Sequence, residues 1–172
     1  MTPVSHGMVD KREQVRGRLT VMRMIHFALV SGVILFGLVV FLLTRGKMTY
    51  DISFQNPMFV VAGALTLGNI AAGAALSRIY FKSAGFPAEI GSALQKYQVF
   101  VLIRASLIEG AAMFAAVITL VTCNVLPACL LALCAGALAF FRPSQREFVG
   151  LMRNTLGADL TGMGLFLDGS DY

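Results

Sequence analysis

Long runs of apolar residues, separated by short polar segments, make up most of the chain. A hydrocarbon core about 30 Å thick is crossed by roughly 20 apolar residues of helix. Four runs come near this length, at residues 24–44, 57–77, 97–122 and 125–141. Because only Cys123 and Asn124 separate the last two runs, we expect these to be antiparallel neighbours. The pattern predicts an all-α polytopic membrane protein with four transmembrane helices over residues 24–141.

The composition supports this class. Hydrophobic residues make up 57% of the 172 residues and charged residues 13%, and the mean hydropathy is +0.76. A soluble domain carries about 25% charged residues. The composition therefore excludes a soluble enzyme, a disordered chain and a nucleic-acid-binding module. We expect the lipid bilayer as a partner, no nucleic acid, no enzymatic activity and no cofactor.

Lysine and arginine residues are distributed unevenly between the segments that flank the apolar runs. Eleven lie in the N-terminal segment, the middle connection and the C-terminal segment, against two, Arg45 and Lys47, in the other connections. Cytoplasmic loops carry the excess of basic residues. We therefore expect a basic cytoplasmic segment over residues 1–23, both termini in the cytoplasm, and insertion in a bacterial inner membrane.

Residues 142–172 are predicted to form a cytoplasmic amphipathic helix followed by a flexible tail. Ser144 and Glu147 have the spacing of a capping box, which marks the start of a helix. A mostly apolar stripe then follows one helical face, at Phe148, Leu151, Met152, Thr155 and Leu156. This helix either lies on the membrane surface or packs on the cytoplasmic end of the bundle.

The first and third runs are similar to each other. When the chain is shifted by 78 positions, seven of the 21 residues in 24–44 are identical to their counterparts, including Gly32 with Gly110 and Phe36 with Phe114. Parallel internal repeats of this kind occur in membrane proteins. The sequence therefore predicts that the four helices form a duplicated helical hairpin.

Three uncharged or acidic polar residues are predicted near the middle of the bilayer. Glu109 lies near the midpoint of the third run, Asn69 near that of the second, and the repeat places Ser31 at a similar depth in the first. A charged carboxylate at that depth costs about 2.5–3.5 kcal/mol on insertion scales. The three side chains are candidates for one cluster, which either binds a proton or cation or holds the helices together by hydrogen bonds.

Two further polar residues lie closer to the cytoplasmic side. Arg104 is five residues before Glu109, about 140° away around the helix, so the two do not share a face. We interpret Arg104 as an interfacial anchor that snorkels to the membrane surface, with a salt bridge to another helix as the alternative. We interpret His26 as an interfacial histidine, with ligation of a haem or chlorophyll as the alternative.

The second run contains small residues spaced four apart, at Gly68 and Ala72 and at Ala71 and Ala75. Small residues at this spacing let two helix backbones approach closely. We expect these four residues to form a helix-packing face, either within the bundle or between protomers.

Residues 63–121 resemble the hairpin of the rotor-ring c subunit of rotary ATPases. That hairpin has a Gly/Ala-rich helix, a polar cytoplasmic loop, and a helix with one carboxylate near the membrane midplane. The corresponding parts here are residues 68–75, the loop Gly85-Phe86-Pro87, and residues 107–114. The resemblance implies that Glu109 is the ion-carrying carboxylate of an oligomeric ring.

The sequence thus supports three functional hypotheses. In the first, the chain is a non-enzymatic assembly or accessory subunit of a homo-oligomer or a larger membrane complex. In the second, it translocates protons or cations through Glu109. In the third, it binds a pigment or haem through His26.

Overall fold

The computed structural model describes residues 4–50, 56–84 and 90–156. The chain is all-helical in these ranges, with five helices and one isolated backbone bridge. The helices are α1 Val4–Thr44, α2 Pro57–Ala84, α3 Ile90–Thr122, α4 Val125–Phe140 and α5 Gln145–Leu156. Residues 157–172, for which a loose tail was expected, lie outside the described residues.

Three of these helices are long and apolar enough to cross a membrane. The apolar parts are Arg16–Thr44, Pro57–Leu76 and Gly91–Thr122, of 29, 20 and 32 residues. Helix α4 is also strongly apolar but has only 16 residues, a length of about 24 Å. The expectation of an all-helical chain with several helices able to cross a membrane is therefore confirmed, and the count of four spans remains a prediction.

The helices extend beyond the apolar runs. Helix α1 includes most of the basic segment expected before residue 24, and the connection expected over 78–96 is mostly helical. Helix α2 continues to Ala84, and α3 already begins at Ile90. Hydrophobicity marks where a helix meets lipid, whereas the backbone hydrogen bonds of a helix continue equally well in water. The apolar runs therefore underestimated the helix lengths.

Helix α3 lies at the centre of the bundle and contacts α1, α2 and α4. Helices α1 and α2 both contact α4 as well but share little contact with each other in the described part of the chain. Helices α3 and α4 thus form a closely packed hairpin, and α1 and α2 do not. The sequence repeat remains a prediction.

Helix α1 packs through a narrow stripe. Its buried residues include Leu19, His26, Val33 and Val40, each seven residues after the previous one. A seven-residue repeat is the pattern of helices packed side by side as in a coiled coil. The remaining surface of α1 is apolar and exposed, as at Phe27, which suits a helix surrounded by lipid.

The packing between helices is tightest around α3. A central cluster contains Ile108 and a run of alanines from α3, together with residues of α1 and α4. A second cluster lies at the end where α3 begins and includes Tyr97, Phe100 and Phe148, all fully buried. Phe148 belongs to α5, so α5 packs on the end of the bundle through its predicted apolar face. This is the second of the two arrangements that the sequence allowed.

The turn between α3 and α4 is fixed by backbone hydrogen bonds to the segment after α1. Thr49 N donates to Cys123 O at 2.8 Å, and Val125 N donates to Thr49 O at 3.1 Å. Cys123 has a positive φ of 49°, a left-handed conformation that suits glycine better. Asn124 caps α4, because its side chain accepts a hydrogen bond from Leu126 N.

Candidate functional site

The most densely bonded polar group in the described part of the chain is the Arg104 cluster, formed by Arg104, Glu147 and Tyr97. Arg104 Nη1 donates to Glu147 Oε1 at 2.7 Å, and Nη2 lies 3.3 Å from Glu147 Oε2. The Tyr97 hydroxyl donates to the same Oε2 at 2.8 Å. One carboxylate of α5 therefore accepts hydrogen bonds from two side chains of α3.

The surroundings of Arg104 hold its guanidinium in place. The residue is only 4% exposed, and Nη2 also donates to Phe141 O at 2.9 Å. The guanidinium carbon lies 4.9 Å from the ring centres of both Phe100 and Phe141, a distance at which a cation is attracted to an aromatic face. On the α2 side, a Cβ at Gly73 would lie 3.1 Å from Arg104 Cγ, so glycine leaves room for the arginine.

These contacts correct the interpretation of Arg104 as a snorkelling anchor. The side chain is buried within the protein and forms the interhelical salt bridge that was the alternative. The capping box is also altered. Ser144 Oγ accepts a hydrogen bond from Glu147 N at 3.1 Å as expected, but the Glu147 carboxylate turns to Arg104 and Tyr97. A buried cation needs a charged partner more than a backbone N–H near water does.

Glu147, Tyr97 and Phe141 were not recognised as members of a site from the sequence. The available signal was Arg104 itself, because a lone cation within an apolar run requires an acid. Glu147 was assigned to the capping box, so its interaction with Arg104 and Tyr97 was not predicted.

The three polar residues predicted near the midplane do not come together. Asn69 Nδ2 donates to Leu107 O at 3.1 Å, and Leu107 is about 200° from Glu109 around α3. Ser31 is exposed, and it is about 140° from the buried His26 around α1. Asn69 therefore links α2 to the α3 backbone, while Ser31 points away from the bundle.

Glu109 is half-buried on α3. It lies between Ala105 and Ala112, which are buried in the central cluster, and the exposed Gly110 and Phe114. Its carboxylate has no hydrogen-bond or ion-pair partner in the part of the chain that the structure describes. Glu109 therefore places a carboxylate at the edge of the bundle, near the middle of α3, where it can form a hydrogen bond or ion pair with a neighbouring molecule.

His26 is 6% exposed and lies between helices rather than at an interface with water. Its Nε2 is 2.9 Å from Leu138 O, and since a carbonyl only accepts, Nε2 carries the proton. Nδ1 is buried without a partner among the described residues. A cavity of about 10 Å³ lined by His26 and Gln98 lies beside it, enough for one water molecule and too small for a porphyrin.

The four residues of the predicted helix-packing face, Gly68, Ala71, Ala72 and Ala75, are all exposed. A Cβ at Gly68 would have no atom within 4 Å. A different small residue of α2, Gly73, allows close packing inside the bundle, against Arg104. The predicted face is therefore exposed to the surroundings rather than buried against the described helices.

No group of three or more histidine, cysteine or acidic residues suited to a metal ion occurs in the described ranges. Comparison with known proteins finds no matching family model, no matching curated protein and no matching solved structure.

Proposed function

We propose that the chain is a non-enzymatic integral membrane protein that acts as an assembly subunit, either of a homo-oligomer or of a larger membrane complex. The observation that carries this proposal is Glu109, half-buried on α3 and without a partner in the described residues. Leaving a carboxylate against lipid is unfavourable, and acidic residues in membrane helices generally pair with another polar group. A neighbouring transmembrane helix of a second subunit would supply that group.

The exposed face formed by Gly68, Ala71, Ala72 and Ala75 supports the same proposal. Association of membrane helices depends on close packing and interhelical hydrogen bonds, because the lipid tails are as apolar as the helices. Small exposed residues on α2 provide the close packing, and Glu109 on α3 provides the hydrogen bond. The subunit thus has two surfaces suited to neighbouring helices.

In this proposal all four helices α1–α4 cross a bacterial inner membrane, with both termini in the cytoplasm. The crossing of α4 is supported by α5, because Phe148 of α5 packs on Tyr97 near the start of α3, with ring centres 5.3 Å apart. The chain that leaves α4 thus returns to the side from which α3 began. The orientation is supported by the basic residues around that end. Single cysteines placed at Arg142 and Gly46, in a chain without its native cysteines, test it: only the second should react with an impermeant maleimide in intact cells.

The assembly is tested by replacing Glu109 with leucine and measuring the native mass of the solubilised particle and the yield of cross-links in membranes. Hydrogen bonds between membrane helices contribute about 0.6–2 kcal/mol, so Glu109→Leu should shift the particle toward smaller mass. Ser31→Leu is the matched control, since it makes a similar polar-to-apolar change at an exposed position of α1. Equal masses for the wild type and Glu109→Leu would contradict the proposal.

The second candidate is ion translocation through Glu109, as the resemblance to the rotor-ring c subunit implies. The half-exposed position of Glu109 favours it, because a lipid-accessible carboxyl can exchange an ion at the edge of a subunit. Carbodiimide labelling distinguishes the two candidates. Labelling of Glu109 that protons or sodium ions modulate favours translocation, whereas a carboxyl that is paired in the assembly should not be labelled.

A further inference from the structure

A groove of about 210 Å³ runs between α1 and α4, at the end of the bundle opposite the Arg104 cluster. Its lining is apolar and includes Gly37 and Phe41 of α1 and Ala128 and Ala132 of α4. The one hydroxyl in the lining, that of Thr119, donates to Ala115 O at 2.8 Å. The groove therefore offers no free hydroxyl and suits a hydrocarbon chain. For comparison, an apolar cavity of about 150 Å³ holds a six-carbon ring.

Two cations lie in the short stretch of chain between Phe41 and Met48, both of which line the groove. Arg45 and Lys47 are exposed in the turn after α1, and Met48, the next residue, lines the groove. The turn is held by hydrogen bonds from Arg45 N to Phe41 O and from Lys47 N to Thr44 O, both 2.8 Å long. Eleven of the lysines and arginines lie in the N-terminal, middle and C-terminal segments, whereas Arg45 and Lys47 lie in the turn after α1.

The start of α4 adds positive potential at the same place. The bridge between Thr49 and Asn124 joins the turn after α1 to the N-terminus of α4. A helix N-terminus carries a partial positive charge that favours anions. Ala128, in the first turn of α4, lines the groove, so an anion beside Arg45 and Lys47 would also lie near this helix end.

We propose that this groove binds an anionic phospholipid. One acyl chain lies between α1 and α4, and the phosphate is bound by Arg45 and Lys47. Hydrogen bonds between a cationic side chain and phosphate are roughly twice as strong as neutral ones, and a net anionic headgroup gains more from two cations than a zwitterionic one does. The inference depends on α1 crossing a bilayer and on neither the assembly nor the orientation of the chain.

The test measures lipid retained by the full chain in native mass spectrometry, with phosphatidylglycerol and phosphatidylcholine of the same acyl chains. The wild type should retain phosphatidylglycerol in preference to phosphatidylcholine. In the double variant Arg45→Gln/Lys47→Gln, the ratio of retained phosphatidylglycerol to retained phosphatidylcholine should fall at least tenfold. The matched control Arg16→Gln/Arg18→Gln removes two exposed cations from the opposite end of the apolar part of α1 and should keep the preference.

A second pair of variants tests the groove. Ala132→Phe fills the groove and should lower the retention of both lipids. Ala28→Phe adds the same ring at an exposed position of α1 outside the groove lining and should not. If Ala132→Phe fails to fold, Ala128→Phe makes the same test nearer the cations. Equal retention of the two lipids by the wild type, or equal losses from the two charge variants, would overturn the proposal. A result of that kind would leave the assembly through Glu109 unaffected.

Discussion

Replacing Glu147 with alanine should release α5 from the end of the bundle. The change removes the acceptor of two guanidinium contacts at 2.7 and 3.3 Å and leaves Arg104, 4% exposed, without its counter-ion. Removing one member of a buried ion pair costs about 3–5 kcal/mol. Because the Glu147 side chain is 28% exposed, water reaches the vacated position, and we expect a value near the lower limit, about 3 kcal/mol. This corresponds to about a hundredfold larger population of undocked α5.

Hydrogen–deuterium exchange of the α5 amides in lipid nanodiscs measures this population directly. Glu147→Ala should accelerate exchange across α5 by about a hundredfold, while α1–α4 keep their protection. The double variant Arg104→Met/Glu147→Leu should restore much of the protection, because apolar residues can replace a buried ion pair at little cost. Arg142→Ala, which removes an exposed arginine just before α5, is the control. Unchanged exchange in Glu147→Ala would refute the view that this salt bridge holds α5.

Three further predictions concern the packing of α2 and the turn between α3 and α4. Gly73→Leu should lower the thermal stability of the solubilised chain, because the new Cβ would be 3.1 Å from Arg104 Cγ. Gly68→Leu, where a Cβ meets no atom within 4 Å, should leave the thermal stability unchanged but reduce the native mass of the solubilised particle. Asn124→Ala should cost about 1 kcal/mol in thermal unfolding, since it removes the cap of α4; an unchanged melting temperature would show that the cap is dispensable. Cys123→Val should be less stable than Cys123→Gly by about 1–2 kcal/mol, because residue 123 has a positive φ, and the reverse order would contradict that backbone conformation.

The approximate positions of α1–α4 followed from the apolar runs, and three of these helices are long enough to cross a membrane. The count of four spans remains a prediction. The ends of the helices did not, since α1 and α3 continue into polar segments such as the one before Met24. The C-terminal helix was predictable because its signals, the cap at Ser144 and the apolar stripe, lie within the helix or directly before it. Its position on the bundle could not be decided from a pattern that suits both a lipid surface and a protein surface.

The hydrogen-bond and ion-pair partners of the polar side chains could not be predicted from the periodicity of the sequence. Arg104 and Glu147 are 43 residues apart, and no repeat or motif connects them. Asn69 and Glu109 have similar depths, but their contact depends on the rotation of α2 and α3 about their own axes. Packing set that rotation: Gly73 faces Arg104 and Ile108, which places Asn69 against Leu107 O rather than Glu109.

We propose that a second membrane subunit lies against α3 beside Glu109. Gly110 is exposed there, and a Cβ at this position would meet no atom within 4 Å, so a photoreactive side chain can replace it. On illumination of native membranes, we predict a cross-linked protein adduct of defined mass at position 110, and none from the same group at the exposed Leu35 of α1. Adducts with lipid alone at position 110 would contradict the account.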